Sequence, residues 1–194
     1  MFTMRMIRPL LAAVLVGAAA LTGCARIPLG APVASAGNIL KAQGTGMAPA
    51  NVGTFGVAVG KDPAIDKVLV VRSNKVLSPF DESFAKYLGE TLRTELKAAG
   101  LLDPASATSL EGSLTDNVLD GPIGRGTGRL GARFVVRRAG KTLYDKQHQV
   151  DANWDSPFIG AVAIPTAINE YSALHRKLVG SLLDDPVFRQ AVSR

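Results

Sequence analysis

The sequence predicts an α+β domain: a largely antiparallel sheet with two helices over one face, in the order β-β-α-β-β-β-α. Three observations carry this. Phe84, Leu88, Leu92 and Leu96 recur at four-residue steps, the stripe of an amphipathic helix. Ile164, Ile168, Tyr171, Leu174, Leu178 and Leu182 repeat a helical period near the C-terminus. Between those two stretches, from Leu110 to Trp154, apolar residues alternate in twos, as they do in half-buried strands.

In chain order, Thr54 to Val59 reads as the first strand and Lys67 to Val71 as the second, with Lys61-Asp62-Pro63 as the turn between them. Ser78-Pro79-Phe80-Asp81 reads as the start of the first helix: serine caps free N–H groups, and proline suits the first helical position. Gly100 is a fitting stop. Leu110 to Val118 forms the next strand, and Gly121-Pro122 breaks it. From Gly126 to Arg138, Leu130, Ala132, Phe134 and Val136 share one face, and Arg125, Arg129, Arg133 and Arg137 share the other. Ala139-Gly140 is a hairpin turn, and Lys141 to Trp154 puts Tyr144, Val150, Ala152 and Trp154 on a common face. Pro165 either starts the last helix or kinks one begun near Phe158. Asp184-Asp185-Pro186 ends it, and Val187 to Val192 adds a final turn. Two helices over one sheet face bury both apolar stripes.

Ahead of this domain stands a short basic head with Arg5 and Arg8, then an apolar run from Leu10 to Leu21. That run is shorter than the roughly 20 residues a spanning helix needs. A charged head, a short apolar core and small residues before a cut describe a secretory signal. The run ends in Leu21-Thr22-Gly23-Cys24, which holds the only cysteine of the chain and resembles the lipobox of bacterial lipoproteins. The resemblance implies cleavage before Cys24, a thioether-linked diacylglycerol on it and an acylated new N-terminus. Multiple acyl chains make anchoring stable, at about 0.8 kcal/mol per buried CH₂. Ala25, where an aspartate would signal retention, implies sorting to the outer membrane, facing the periplasm. The expected division is therefore 1–23 signal peptide, 24–53 acylated cysteine and tether, and 54–194 folded periplasmic domain. The tether is rich in Gly, Ala and Pro and shows no sustained period. As a flexible coil it would reach roughly 30 Å.

The formal charge of +6 falls to +4 once Arg5 and Arg8 leave with the signal. That mild excess permits attraction to anionic headgroups. Nucleic acid is not an expected partner, because the strands lack the interleaved aromatics of a stacking platform. Intrachain disulfides are excluded by the single cysteine.

Few residues look chemical. Gly126-Thr-Gly128-Arg-Leu-Gly131 matches G-x-G-x-x-G, but a strand follows it where a dinucleotide site needs a helix. The expected role is close packing of another element on the strand. His148 and His175 are the only histidines and have no partner at metal-ligand spacing. No G-x-S-x-G elbow occurs. No cofactor, metal site or enzymatic activity is expected. The row Arg125, Arg129, Arg133 and Arg137 reads in two ways. It is either a solvated face paired with Glu111, Asp145 or Asp151 on neighbouring strands, or a face that grips anionic lipid or an acidic envelope protein through guanidinium–phosphate geometry.

A lipobox, a Gly/Pro leash and a β-β-α-β-β-β-α domain together resemble the small YajG-like envelope lipoproteins. The resemblance covers roughly residues 53–190, through the stretch Phe84 to Leu102, the strand end Val150 to Trp154 and the helix closing at Leu182-Leu183-Asp184. Similar layouts occur in lipopolysaccharide-assembly lipoproteins and in auxiliary lipoproteins of ABC-type transporters. The resemblance implies a non-enzymatic, lipid-anchored envelope protein with a structural or interaction role, or an auxiliary part in lipid transport or assembly. It fixes no functional residue beyond Cys24. The helix stripe gives a direct test. Leu92→Ala should destabilise the domain by roughly 2–5 kcal/mol and Lys86→Ala by under about 0.5 kcal/mol. Equal shifts in denaturant unfolding would mean that the face is misassigned.

Overall fold

The computed structural model describes residues 25–193. The signal and Cys24 lie outside them. The chain forms strand β1 (Arg26–Pro28), helix α1 (Ala36–Gln43), β2 (Asn51–Val57), a 3₁₀ turn (Pro63–Asp66), β3 (Leu69–Val71), β4 (Asn74–Leu77) and α2 (Phe84–Ala98). It continues with β5 (Thr108–Asp120), β6 (Gly124–Arg138), β7 (Lys141–Ser156), α3 (Gly160–Asp184) and α4 (Pro186–Val192). The fold is α+β, as expected, but both of its sheets are mixed. The larger has the order β2-β5-β6-β7, with β2 parallel to β5 and the rest antiparallel. The smaller is β1-β4-β3, with β1 parallel to β4. A parallel pair needs a crossover, and α2 lies between β2 and β5 in the chain to supply it.

Helix α2 packs on β2 and β5, α3 packs across β6 and β7, and α1 packs against both helices. Phe84, Leu88, Leu92 and Leu96 are all fully buried, as their spacing predicts. The sheet presents Leu130, Ala132, Phe134 and Val136 to them, also buried. Glycines let the layers close. A Cβ at Gly126 would stand 2.2 Å from the Trp154 ring, and one at Gly128 would stand 2.6 Å from Leu174. The G-x-G-x-x-G run is thus a strand surface cut away for a neighbouring ring and a helix side chain.

Two expectations are corrected. Helix α2 starts at Phe84, not near Ser78. Asp81 and Glu82 both take left-handed φ of 51°, which a right-handed helix cannot continue. Ser83 is the cap, its Oγ accepting from the Lys86 N–H at 3.1 Å. Buried Asp66 reinforces that start by accepting from Ser83 Oγ at 3.0 Å and from the Ala85 N–H at 2.7 Å. The second correction is strand β4, which the sequence reading passed over. Its hairpin with β3 turns through Arg72 and Ser73 at φ 46° and 68°, a left-handed pair usually signalled by glycine or asparagine. Of the two readings of Pro165, the structure has the one that places it inside α3. The helix begins close to Phe158.

The largest difference is at residues 25–53, the described part of the segment expected as a tether. The expected tether is folded. Leu29, Ala42, Met47, Ala50 and Val52 are buried in the common core. Pro28 ends β1, Gly30 and Pro32 separate it from α1, and Gly44 and Gly46 follow α1, so these residues punctuate short elements. The segment is held by a buried carboxyl group. Glu95 on α2 is fully buried. Its Oε2 accepts from the Ser35 N–H at 3.0 Å, and its Oε1 accepts from Asn38 Nδ2 at 2.9 Å. Asn38 Nδ2 also donates to the Arg176 carbonyl on α3 at 2.8 Å. Gly180 makes room for this, because a Cβ there would stand 2.7 Å from Asn38 Oδ1.

Asn38→Ala removes the donor to both groups. It should destabilise the domain by roughly 2–4 kcal/mol, since buried polar groups left unpaired cost about 1–3 kcal/mol each. Leu40→Ala, at an exposed position of the same helix, should stay within about 0.5 kcal/mol. Indistinguishable denaturant midpoints for the two variants would mean that α1 is not docked.

Candidate functional site

The arginine row lies where the alternation placed it, on the solvent face of β6, with Arg125, Arg129, Arg133 and Arg137 all exposed. Three of the four meet carboxylates on adjacent strands. Arg129 Nε donates to Asp151 at 2.7 Å, Arg133 Nε to Asp145 at 2.5 Å, and Arg137 Nε to Glu111 at 3.2 Å. These are the acids named from the sequence. The hydrogen bonds from Arg129 and Arg133 hold Asp151 and Asp145 below the usual carboxylate range. A phosphate approaching the middle of the row would have to displace these partners. Arg125, opposite Asp155 in the ladder, has no carboxylate in ion-pair distance among the described residues.

His148 belongs to a polar cluster at the elbow between α3 and α4. Its Nε2 lies 2.6 Å from the Tyr144 hydroxyl, and its Nδ1 lies 3.2 Å from Ser181 Oγ. Ser181 donates to the Leu178 carbonyl at 2.7 Å. The single Tyr144 hydroxyl proton goes to Asp185, so a neutral His148 donates from Nε2 to Tyr144 and turns Nδ1 towards Ser181. Burial lowers the His148 pKa, which favours a neutral ring. Asp185 Oδ2 accepts from Tyr144 and from Lys146, each at 3.0 Å. Asp185 Oδ1 accepts from the Val187 N–H at 2.8 Å and so caps α4. Burial would raise the Asp185 pKa, but hydrogen bonds from Lys146, Val187, Tyr144 and Phe188 outweigh it and hold it down to about 2. A serine, a histidine and an aspartate meet here, yet the serine proton is committed to a helical carbonyl. The arrangement locks the helical elbow onto β7.

His175 is fully buried between Tyr87 and Tyr171, with ring centroids 4.7 and 4.8 Å away. Its Nδ1 lies 3.1 Å from the Tyr171 carbonyl, and its Nε2 has no hydrogen-bond partner among the described residues. Those residues also hold no cluster of three or more His, Cys, Asp or Glu side chains suited to a metal.

Two surface features escaped the sequence reading. One is an open hollow of about 390 Å³ between β2 and α2, lined by Phe55, Pro79, Phe80, Lys86, Gly89 and Arg93. Its cations are engaged, Lys86 with Asp81 at 2.5 Å and Arg93 with Glu90 at 3.0 Å. The other is the cage around Arg72. Its guanidinium donates to the carbonyls of Gly121 at 2.9 Å, Pro157 at 2.6 Å and Phe158 at 2.9 Å, and to Ser156 Oγ at 3.0 Å. It thereby pins the β3–β4 turn to the β5–β6 loop and to the entry of α3. The uncharged run from Ser156 to Ile164 was the available signal for this end of the molecule.

No protein-family model matches the sequence, and neither does any curated protein. Among solved structures, the chain is similar to protein XCC0632 from Xanthomonas campestris, of the family DUF330. Identity is 11%, coverage is 81% of this chain and 94% of that one, and the TM-score is 0.55. At this identity the two share a fold. A candidate lipoprotein from Caulobacter crescentus (14% identity, 82% and 98% covered, TM-score 0.45) and a minor lipoprotein from Acinetobacter baumannii (14%, 73% and 90%, TM-score 0.35) match less well. At those scores the likeness carries no structural argument.

Burial pushes the His175 imidazole down from 6.5 to about 4. The unfolded chain therefore binds the extra proton first, and stability falls as pH drops from about 6.5 towards 4. A shift of this size corresponds to about 3 kcal/mol. His175→Phe should remove that part of the acid dependence. Unfolding free energies of wild type and variant that run parallel between pH 7 and 4 would mean that the ring is not held neutral.

Proposed function

We propose that this protein is a lipid-anchored, non-enzymatic component of the bacterial envelope. Acylated Cys24 holds it at the outer membrane, facing the periplasm, in a structural or interaction role. The observation that carries the reading is the sequence Leu21-Thr22-Gly23-Cys24 followed, from Arg26, by a strand of the folded domain. The chain passes from a lipobox-like cleavage motif into its fold within two residues. The polar clusters support the reading, since each is accounted for by helix capping or element docking. An auxiliary role in lipid transport or assembly is the second reading. The hollow between β2 and α2 favours it, because Phe55, Pro79 and Phe80 offer an apolar lining to an acyl chain.

Cys24→Ser decides the anchor. Mass analysis of the wild-type N-terminal peptide should show diacylglycerol and an amide-linked acyl chain on Cys24. The variant should accumulate as uncleaved or soluble precursor. A wild-type chain without acyl mass, together with a variant that still fractionates with the outer membrane, would remove the proposal. Crosslinking in intact cells would then separate the two roles: a recurrent transporter or assembly subunit supports the second, and diverse envelope neighbours support the first.

A further inference from the structure

One end of the domain is apolar. Phe158 is 78% exposed, Ile123 and Ile159 are each 63% exposed, and Val162 is 53% exposed. Ile123, Phe158 and Val162 line one hollow with Pro157, so they form a patch, not scattered single residues. Contiguous exposed apolar surface of this kind marks an interaction site. Helix α3 begins here. Its N-cap residue, Ile159, supplies no side-chain cap, and its first turn holds no acid. The Val162 N–H turns back to the Ile159 carbonyl at 3.1 Å, and the N–H groups of Gly160 and Ala161 point out of the same end, where phosphate oxygens can accept from them.

The chain leaves the fold beside this patch. The Lys75 N–H donates to the Ala25 carbonyl at 2.9 Å, and Arg26 pairs with Lys75 in the parallel β1–β4 ladder. The start of β1 thus lies at the turn end of the β3–β4 hairpin. That turn contains Arg72, whose guanidinium is bonded to the Pro157 and Phe158 carbonyls. Ala25 is the residue after Cys24. The exit point and the apolar patch therefore share one end of the molecule, joined by one hairpin turn and one side chain. Exposed Lys75 and Arg125 flank this end, with Asp120 and Asp155 at the margin of the sheet.

We infer that this end, with Phe158, Ile159, Ile123 and Val162 at its tip, dips into the headgroup region of the bilayer that holds the Cys24 anchor. The inference rests on the lipid-anchor reading of Cys24. With no leash, a chain acylated at Cys24 cannot hold its domain far from the membrane, so the face beside Ala25 must meet lipid. That face is apolar at its centre, which suits the interface between headgroups and acyl chains. β6 then rises from the bilayer with Arg125 at its foot and Arg129, Arg133 and Arg137 progressively farther away. This agrees with the pairing: the three higher arginines have carboxylates, and the lowest does not.

The test uses the full chain purified with its lipid and reconstituted into vesicles of phosphatidylethanolamine with a minority of phosphatidylglycerol. Phe158→Trp is made in a Trp154→Phe background, and Leu40→Trp, on α1, serves as control. Bromine-labelled acyl chains should quench and blue-shift emission from position 158 and leave position 40 unchanged. A second readout needs no variant: amide hydrogen exchange of the wild type should slow at 158–162 on reconstitution, relative to detergent. Quenching at neither position, or equally at both, overturns the inference. Slowed exchange at 158–162 in detergent that grows with protein concentration also overturns it, because a second copy would then be the occupant. N-terminal mass analysis of the same sample separates the two failures. An acylated chain with unmoved emission at position 158 sinks the tip and keeps the anchor; a chain without acyl mass sinks both.

Discussion

The buried carboxyl group of Glu95 ties the ends of this fold together. It sits on the face of α2 that also carries Leu88, Leu92 and Leu96, where a polar group without partners would destabilise the core. Its partners, the Ser35 backbone and the Asn38 side chain, come from the N-terminal segment, and Asn38 reaches on to the carbonyl of Arg176 in α3. Three helices distant in sequence are therefore fixed by one hydrogen-bonded group. Glycine at position 180 is what lets Asn38 approach α3 so closely. The exposed pair Lys41–Asp184 joins the same elements at the surface and is screened by solvent. It is the buried network that specifies where α1 sits.

Under the anchor proposed for Cys24, that docking sets how the molecule meets its membrane. A coil from Cys24 to Gly53 would leave the domain free to tumble at a distance. A segment woven into β1, α1 and β2 gives the domain a fixed orientation relative to its point of attachment. The sheet face and the helical face then stand at the sides of the molecule, and its outer edge strand, β7, is lined with Lys141, Asp145, Lys146 and Asp151. Charges along an edge oppose unwanted strand pairing. Three of the four arginines on β6 are paired across their neighbouring strands. The apolar patch of Ile123, Phe158 and Val162 lies at the end where the chain enters.

Much was legible in advance. The helical stripes at Phe84–Leu96 and Ile164–Leu182 and the two-residue alternation of β6 each repeat one period over several turns or pleats, so burial follows directly from spacing. The cross-strand partners of Arg129, Arg133 and Arg137 followed from the same alternation, because facing strands carry acids on the matching face. The failures were short or conformationally unusual. β1 and β4 have too few residues to show a period. The β3–β4 turn uses Arg72 and Ser73 where glycine would have announced it, and the strain is offset by the carbonyl cage around Arg72 and by the Asn74 side chain bonded to the Arg72 carbonyl at 2.9 Å.

The sequence by itself determined the leader motif at Cys24, the α+β class, the two main helices, the three long antiparallel strands and the polarity of each face. These depend on local periodicity, which a linear chain displays. Only the tertiary structure decided that Gly/Pro-rich residues 26–53 are core and not tether, that β2 joins the sheet in parallel, and that His175 is sealed between two tyrosines. It also brought the chain exit beside Phe158. Those outcomes rest on contacts between residues far apart in sequence, such as Asn38 with Glu95 or Arg72 with Pro157. Whether a glycine, an asparagine or an arginine serves as hinge, buried donor or clasp depends on the partner that folding brings to it, and no spacing along the chain encodes that partner.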